Sequence, residues 1–312
     1  MPLDVCVVGE INPDLILYGL PRQLKPEQET LINGFRLTLG SSSAIFAHNL
    51  AVLGTRVGIV STIGGDLLGK MALEALATAG VDVTHVSAKS STASTGLTVI
   101  LTQPEHRFIF TYPGTMFELR YEDLDLDYIF SARHLHLSSY FLHKALRPRI
   151  ADLFRAAKAK GLSTSLDTND DPEDKWGEDL RAVLPHVDIF FPNEREAKKI
   201  AATGDLEQAI QKLSQICQSV VVKLGAKGAI ASKGAAEWRS EGMPVAVVDP
   251  VGAGDSFDAG YIHRFLQGGT PENCLEFATA AGALSTTREG GTEAFKDRSS
   301  VEGFFRANLK QR

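Results

Sequence analysis

Residues 249–260 read DPVGAGDSFDAG, in which a glycine-rich turn stands between an apolar segment and a helical pattern. The apolar segment VAVVD at 245–249 predicts a strand, and the residues after the turn, SFDAGYIHRFLQG, predict a helix. In such a unit the backbone N–H groups of 252–254 would point outward at a helix N-terminus, where an anion is stabilised. The alternative is an ordinary helix start with Asp255 in its first turn. The stretch taken alone leaves both interpretations open.

The same alternation of apolar strand and amphipathic helix recurs along the chain. Buried strands are predicted at 5–8, 57–66, 134–139, 162–167, 187–193 and 220–225. Helical spacing is clear in LLGKMALEALATAG after the second of these strands and in LEQAIQKLSQIC before the last. Strands that alternate with helices of this length predict an α/β fold, a three-layer parallel sheet with helices on both faces.

One region lacks the helix between its strands. In TGLTVILTQPEHRFIFTYPG (95–114) two alternating segments flank a turn at Gln103–His106, which predicts a β-hairpin. Because an isolated hairpin is marginally stable, it needs further strands, the main sheet or a second subunit beside it. We therefore expect one domain over 1–312, with a small β-sheet lid formed by about 12–38 and 95–114.

Composition and charge narrow the class of protein. The chain of 312 residues is 44% hydrophobic and 22% charged, as in a soluble globular domain. Its net charge of -6 argues against nonspecific binding to nucleic acid or to an anionic membrane. Three scattered cysteines suggest a reducing compartment, and neither a signal peptide nor a membrane-spanning segment is evident. A cytoplasmic protein is expected.

Several motifs in a fixed order resemble one family. The 249–260 stretch is similar to the C-terminal signature D-T-x-G-A-G-D-x-F of the PfkB, or ribokinase-like, carbohydrate kinases, with Pro250 at the threonine position. The other matches are VVGEINPDLI at the start, LGSSSAIFAHNLAVLG (39–54), STIGGDLLG, FPNEREA and VVKLGAKGA. The resemblance covers nearly the whole chain, and it implies a Rossmann-like ribokinase fold and an ATP-dependent sugar kinase.

The resemblance assigns the transfer chemistry to the first stretch. Asp255 would be the general base that takes the proton from a sugar hydroxyl, and the amides of Gly252, Ala253 and Gly254 would form an anion hole. Mg²⁺ would be held by Asn193 and Glu196, mostly through water. The same two residues also fit a helix cap with a capping box, and the two roles are compatible.

The remaining nucleotide and cation assignments follow from the same alignment. The residues expected to border the nucleotide or its phosphates are Asp167, Asn169, Asn193, Lys223, Gly225 and Gly228. A K⁺ ion would be held by carbonyl groups of Asp249, Val251, Ser285, Arg288 and Gly290. No G-x-x-x-x-G-K-[ST] pattern occurs, which excludes a Walker-type ATPase.

The sugar end departs from the family pattern. Asn12, Asp14, Gly40, Ser41 and Ser42 are the expected substrate-binding residues. The family's Gly-Gly start is here Gly40–Ser41, and Ile45 stands where the family has an asparagine that reaches the substrate. An apolar side chain removes donor and acceptor capacity, so that sugar contact must be lost or moved. The neighbours Ser42, Ser43 and His48 are candidates to replace it.

Two metal-like patterns do not predict metal sites. DTNDDPEDKWGE (167–178) has EF-hand-like spacing, but Pro172 stands where the loop needs glycine, and the stretch instead resembles a D-x-N segment of fructokinase-like and 2-keto-3-deoxygluconate kinase-like members. Trp176 fits that segment loosely, whereas its usual arginine is missing. His134, His136 and His143 lack further ligands at zinc spacing.

The sequence therefore predicts a kinase that phosphorylates a hydroxyl of a small sugar or sugar acid. The family's phosphosugar branch carries S-G-S-x-P where this chain has SSYFLHK, so an unphosphorylated substrate is favoured. A nucleoside kinase on the same fold and a catalytically weak sugar-binding regulator remain alternatives. The apolar stripe of the hairpin could cover the sugar or meet the lid of a second subunit in a homodimer.

Overall fold

The computed structural model describes residues 3–88, 93–103 and 106–309. The strands are β1 (Val5–Val8), β2 (Pro13–Tyr18), β3 (Gly34–Leu39), β4 (Val57–Ile63), β5 (Val86–Ala88), β6 (Leu97–Thr102), β7 (Arg107–Tyr112), β8 (His134–Leu137), β9 (Ser163–Leu166), β10 (Ile189–Phe190), β11 (Val220–Lys223), β12 (Ala229–Lys233) and β13 (Ala236–Ser240). The α-helices are α1 (Ser42–Val52), α2 (Leu67–Ala79), α3 (Leu126–Phe130), α4 (Ile150–Ala159), α5 (Leu180–Val183), α6 (Glu194–Ile200), α7 (Leu206–Ser214), α8 (Ala253–Leu266), α9 (Pro271–Ser285) and α10 (Arg298–Asn308).

Nine strands form the main sheet, in the order β13-β12-β11-β10-β9-β8-β1-β4-β5. The seven strands from β11 to β5 are parallel, and β12 and β13 extend the sheet as an antiparallel edge. The antiparallel edge was not foreseen, because KLGAKG predicts a turn without saying which strand follows it. The predicted three-layer α/β fold is confirmed.

The two faces of the main sheet are both covered by helices. Along β1, Cys6 and Val8 enter one apolar cluster, and Val5 and Val7 enter another, because successive side chains of a strand point to opposite faces. Helices α4 and α7 supply the first cluster, and α1, α8 and α9 supply the second. A strand that is buried on both faces reads as a continuous apolar run, as VCVV does.

The parallel strands end at one edge of the sheet, and each is followed there by polar residues. Glu10 and Asn12 follow β1, Ser138 and Ser139 follow β8, and Asp167 follows β9, while Lys223 ends β11. Ligands of such sheets bind outside the carboxyl ends of the strands. This edge is therefore where a functional site is expected.

A second sheet of four strands has the order β3-β2-β6-β7. The predicted hairpin is present as β6 and β7, with residues 104 and 105 of its turn outside the described residues. Ile16 and Ile100 of this sheet pack against Val251, which joins the sheet to the glycine-rich turn. The edge strand β7 is exposed along its length, with Phe110 57% and Tyr112 58% accessible.

The strand predicted at 245–249 is wrong. These residues adopt no regular secondary structure, and Val247 and Val248 are exposed. The amides of Val248 and Asp249 instead donate to the carbonyl oxygen of Thr286, at 2.7 and 3.2 Å. Alternating apolar residues predict a strand only where one face is covered, and here the loop after α9 takes the hydrogen bonds.

None of the helices in residues 3–88, 93–103 and 106–309 is long and apolar enough to cross a membrane.

Candidate active site

The glycine-rich turn forms the start of α8. Gly252 has φ 74° and ψ 4°, the values of the third residue of a type II turn, and the amide of Ala253 donates to the carbonyl of Pro250 at 3.3 Å. A Cβ on Gly252 would lie 2.5 Å from the Cα of Gly291, so no side chain fits there. The amide of Gly254, by contrast, has no partner among the described residues. The turn thus leaves an N–H donor open at the helix N-terminus.

Asp255 lies in the first turn of α8 and is 9% accessible. Burial and the nearby carboxylate of Asp167 raise the pKa of Asp255 to about 7, whereas Lys223 and a hydrogen bond from Ser42 oppose the rise. A carboxylate whose pKa lies near neutrality is suited to accept a proton at physiological pH.

Lys223 lies under the turn, held between two carboxylates. Its ammonium nitrogen is 2.6 Å from Asp167 Oδ2 and 3.1 Å from Asp258 Oδ2, and a Cβ on Gly254 would lie 3.5 Å from it. Burial lowers the pKa of Lys223, but Asp167 and Asp258 outweigh it and raise the pKa, so the side chain stays charged. A buried positive charge therefore lies directly beside the open amide of Gly254.

Sequence reasoning missed Asp258. It lies one helical turn after Asp255, at spacing i+3, and so on the same face of α8. Burial is the main cause that raises its pKa well above the usual range, with Lys223 opposing. The i+3 spacing was the available signal, since a second buried carboxylate beside the first implies a cation nearby.

Asn12 and Asp14 lie at the sugar end predicted for them. The Asn12 amide nitrogen donates to the carbonyl of Pro13 at 3.0 Å and to Thr98 Oγ1 at 3.3 Å, while its buried Oδ1 has no partner among the described residues. Burial, followed by the charges of Asp255 and Asp249, raises the pKa of Asp14 to about 8. A Cβ on Gly40 would lie 2.1 Å from Asp14 Oδ1, so this glycine lets the carboxyl approach the backbone.

Ser41 keeps the conformation that a glycine would adopt. Its φ is 63°, in the left-handed region, and its hydroxyl donates to the carbonyl of Glu10 at 2.6 Å and accepts from the amide of Ala44. The two hydrogen bonds compensate for the strain of a non-glycine residue at this position. The departure from the family's second glycine therefore leaves the backbone path unchanged.

Ile45 does not face a polar group. It is 2% accessible and packs against Gly291, where a Cβ would lie 2.5 Å from Ile45 Cδ1. One turn further along α1, the Asn49 side chain donates to Ser256 Oγ at 2.9 Å and to the carbonyl of Gly291 at 3.0 Å. Ile45 is thus a packing residue, and the nearby amide of Asn49 bonds to protein groups.

Asn193 and Glu196 form the capping box that starts α6. The Asn193 amide donates to Glu196 Oε2 at 2.9 Å, and the Glu196 amide donates to Asn193 Oδ1 at 2.9 Å. Burial and the charge of Asp167 raise the pKa of Glu196 to about 7. A short parallel bridge joins Asn193 to Lys223, so the two motifs lie on neighbouring strand ends.

Gly225 and Gly228 lie in the tight turn between β11 and β12, both with positive φ. A Cβ on Gly228 would lie 1.9 Å from the carbonyl oxygen of Ser240. Of the residues expected to hold K⁺, Asp249 and Gly290 meet directly, since the Gly290 amide donates to Asp249 Oδ2 at 3.0 Å. The other Asp249 oxygen accepts from the amide of Val251 at 3.0 Å.

A contact between the two sheets was not predicted. The Tyr18 hydroxyl of β2 donates to Asp249 Oδ2 at 2.9 Å, which ties the second sheet to the loop before the glycine-rich turn. These residues are 231 positions apart, and no pattern in either segment indicates the pairing.

Glu10 is a second functional candidate that sequence reasoning missed. It is 2% accessible, and its Oε2 lies 3.2 Å from His143 Nε2 and 2.7 Å from Ser43 Oγ. Burial opposes ionisation, but His143, Ser43 and Ser139 together lower the pKa of Glu10. A charged residue directly after a strand reads as exposed, and its partner lies far along the chain, so the sequence held no clear signal.

His134 and His136 lie inside the sheet in a ladder of hydroxyl groups. Each ring nitrogen lies 2.7 Å from a serine oxygen, with Ser165 shared between the two rings, and Ser163 and Ser138 at the ends. His136 also stacks on Phe46 of α1 at 3.7 Å. Both histidines are thus accommodated by neighbouring hydroxyl groups.

Comparisons with known proteins place the chain in a family. Residues 2–298 match the family model described as pfkB family carbohydrate kinase. An ATP-dependent ribose-1-phosphate kinase from Halopiger xanaduensis is 30% identical over 93% of this chain and 94% of its own length. A nucleoside kinase from Methanothermobacter thermautotrophicus is 28% identical over 92% of this chain and 90% of its own.

A solved structure shares the fold. It is a candidate ribokinase II from E. coli in complex with ATP and Mg²⁺, with a TM-score of 0.86, 26% identity, and coverage of 98% of this chain and 99% of that one. The chain belongs to the pfkB family of carbohydrate kinases. It is a phosphotransferase with an alcohol group as acceptor, within the sugar and nucleoside kinases of the ribokinase type.

Proposed function

We propose that this protein transfers the γ-phosphoryl group of ATP to a hydroxyl of a small unphosphorylated sugar or sugar acid. The observation that carries the proposal is the group at the start of α8, where Asp255, the open amide of Gly254 and the ammonium of Lys223 lie together. A base, an N–H donor and a positive charge at one point are what phosphoryl transfer to an alcohol requires.

In this mechanism Asp255 accepts the proton of the sugar hydroxyl. The hydroxyl oxygen then bonds to the γ-phosphorus, the bond from that phosphorus to the β–γ bridging oxygen breaks, and ADP leaves with that oxygen. The 252–254 turn and Lys223 stabilise the charge on the transferred group, with Gly254 as the amide that is free to do so. Little covalent chemistry is required of the protein, because positioning and electrostatics supply most of the rate.

The residues that would hold the nucleotide and its metal fit an anionic ligand. Lys223, Gly225, Gly228, Asp167, Asn169 and Asn193 lie at or next to the carboxyl ends of the strands that border the turn. Asn193 and Glu196 would hold Mg²⁺ through water, since their oxygens already accept hydrogen bonds in the capping box. When bound, Mg²⁺ would neutralise part of the charge on the phosphates. A K⁺ site at Asp249, Val251, Ser285, Arg288 and Gly290 belongs to the same proposal.

The sugar end supports a neutral acceptor. It is built from the amides of Asn12 and Asn169, the hydroxyls of Ser41 and Ser42, and the carboxyl of Asp14. The unpartnered Oδ1 of Asn12 offers an acceptor to a sugar hydroxyl, which repays the cost of burying it. Carboxyl, amide and hydroxyl groups match sugar hydroxyls, whereas a second phosphate would call for cations.

The test is ADP release in the presence of a panel of acceptors. The panel contains ribose, fructose, 2-keto-3-deoxygluconate, ribose-1-phosphate and adenosine. Turnover with a neutral sugar or sugar acid, at a kcat/KM at least tenfold above the others, supports the proposal. Preference for ribose-1-phosphate or for adenosine would overturn the substrate class while leaving the kinase assignment intact.

A nucleoside kinase is the second candidate function, because a relative of that activity shares 28% identity with the chain. The panel separates it directly. A catalytically weak sugar-binding regulator would bind a sugar in calorimetry and release no ADP with any acceptor. The group around Asp255 favours turnover over this alternative.

We also propose that the chain is a single kinase domain, that the second sheet acts as its lid, and that two lids meet in a homodimer. The exposed apolar side chains of this sheet support a covered face, and they are Phe35, Leu37, Phe108, Ile109, Phe110 and Tyr112. Sedimentation velocity of the wild type and of Phe110→Ser tests it. A dimer that dissociates in the variant supports the proposal, and a monomeric wild type at 50 μM (about the concentration of such a run) overturns it.

A further inference from the structure

Asn169 links the two ends of the candidate site by hydrogen bonds. Its amide nitrogen lies 2.6 Å from Ser42 Oγ and 2.9 Å from Ser139 Oγ. Asn169 follows β9 and has φ 52°, so the chain turns sharply to bring its side chain between α1 and the end of β8. Asparagine is one of the few residues that adopts this conformation at little cost.

The donor at each step of this network is fixed. An amide nitrogen only donates, so Ser42 and Ser139 both accept from Asn169. The single proton of each hydroxyl is then free for another acceptor. Ser139 donates to Glu10 Oε1 at 2.7 Å, and Ser42 donates to the carboxylate of Asp255. The amide of Asn169 therefore directs one hydroxyl proton toward each carboxylate.

The far end of the network is rigidly anchored. Glu10 is buried, and it is also bonded to Ser43 and paired with His143 at 3.2 Å. Ser41 and Ser139, which both donate to Glu10, have φ values of 63° and 54°. Left-handed non-glycine residues cost of order 1–3 kcal/mol each and persist where the surrounding structure determines them. Two of them, with Asn169 as a third, converge on this one network.

We propose that Ser42 and Asn169 are positioning residues for the base, which hold one carboxylate oxygen of Asp255 and leave the other for the sugar hydroxyl. This inference rests on the proposed function. It changes the role of two residues that the sequence assigned to substrate and nucleotide, because the hydrogen-bonding groups in question already face protein atoms. Glu10 and His143 then act as the fixed support of the network.

The charges around Asp255 make this hydrogen bond important. The carboxylates that face it are Asp167, Glu10, Asp14 and Asp258, and the facing cation is Lys223. The carboxylates and burial favour the protonated form, whereas the hydrogen bond from Ser42 stabilises the ionised form. Loss of that bond should therefore raise the pKa of Asp255, and the acidic limb of the rate profile should move to higher pH.

The experiment compares Ser42→Ala, Asn169→Gly and the double variant. Glycine is chosen at 169 because it accepts positive φ, so the backbone is kept while the amide is removed. We expect Ser42→Ala to raise the acidic pKa of kcat/KM by at least half a unit, Asn169→Gly to raise it by less, and the double variant to match Ser42→Ala. The KM for ATP should stay within about threefold. Ser61→Ala is the matched control, since its buried hydroxyl has no partner among the described residues.

A second readout does not need turnover. The carboxyl ¹³C resonance of Asp255, assigned by its loss in Asp255→Asn, reports its titration directly. If the proposed substrate class fails but the resonance still titrates at higher pH in Ser42→Ala, the inference stands alone. Additive shifts from the two single variants, or an unmoved titration together with a raised KM for the sugar, would overturn it.

Discussion

The two ends of the candidate site are held in place by different means. At the transfer end, glycines of the 252–254 turn bring backbone amides to the start of α8, and one lysine is clamped by two carboxylates. At the sugar end, non-glycine residues such as Ser41 and Asn169 hold strained conformations through side-chain hydrogen bonds. Backbone geometry suits an anion that is the same in every cycle, whereas side chains can be changed to suit a different sugar.

Outside the base itself, the largest effect is expected for Gly252→Ala. The new Cβ would lie 2.5 Å from the Cα of Gly291 at a φ of 74°, so the turn must move. Removal of one donor of an anion hole costs about 10²–10³ in kcat, and we expect a loss of that order. Gly268→Ala is the control, because it has positive φ but open space around it. Equal losses in steady-state kinetics for both variants would contradict a special role for the turn.

Lys223→Met should lower kcat by about a hundredfold, since it removes a cation beside the transferred group. It also leaves Asp167 and Asp258 buried without a countercharge, which destabilises by about 3–5 kcal/mol. Lys223→Met/Asp258→Asn separates the two effects, because it restores the charge balance without restoring the cation. Stability should then return in thermal unfolding while kcat stays low. Recovery of both would make Lys223 a structural countercharge only.

Ile45→Asn tests whether the sugar end can be returned to the family pattern. Ile45 packs against Gly291, so an amide placed there loses apolar contacts and needs new partners. We expect thermal and urea unfolding to show a loss of about 1–3 kcal/mol, with no gain in kcat/KM for any sugar. Ile45→Val, which keeps the apolar contact, should cost about 1 kcal/mol. A tenfold gain in kcat/KM for Ile45→Asn would show that the family contact is still accessible.

The smallest effect concerns pH. The folded-state pKa of Asp14 is raised to about 8, above its unfolded value, so this group makes folding less favourable as pH rises from about 4 to 8. Asp14→Asn should remove the loss, by up to about 1.4 kcal/mol for each pH unit in that window. Urea unfolding at pH 5 and pH 8 should show the variant gaining on the wild type at the higher pH. Glu302→Gln, on the exposed face of α10, is the control. A variant that loses stability at pH 8 relative to pH 5 would contradict the sign.

The sequence predicted the fold and the transfer end better than the sugar end, for a physical reason. Glycine turns and the alternation of strand and helix are local, so DPVGAGDSFDAG and VCVVG can be interpreted without tertiary information. The Glu10–His143 pair and the Tyr18–Asp249 contact join distant segments, and no local pattern indicates them. The strand expected at 245–249 failed similarly, because its alternation has no covered face in the fold. Asp258 was within reach, as a second carboxylate on the same face of α8.

The most direct test of the central claim is Asp255→Asn, which replaces a carboxylate with an amide of nearly the same shape. Phosphoryl transfer to the preferred sugar would be measured in a single turnover, and ATP binding by calorimetry on the same sample. We predict that transfer falls by at least about a thousandfold while the Kd for ATP stays within about threefold. Transfer near the wild-type rate, with ATP binding intact, would contradict the assignment of Asp255 as the base.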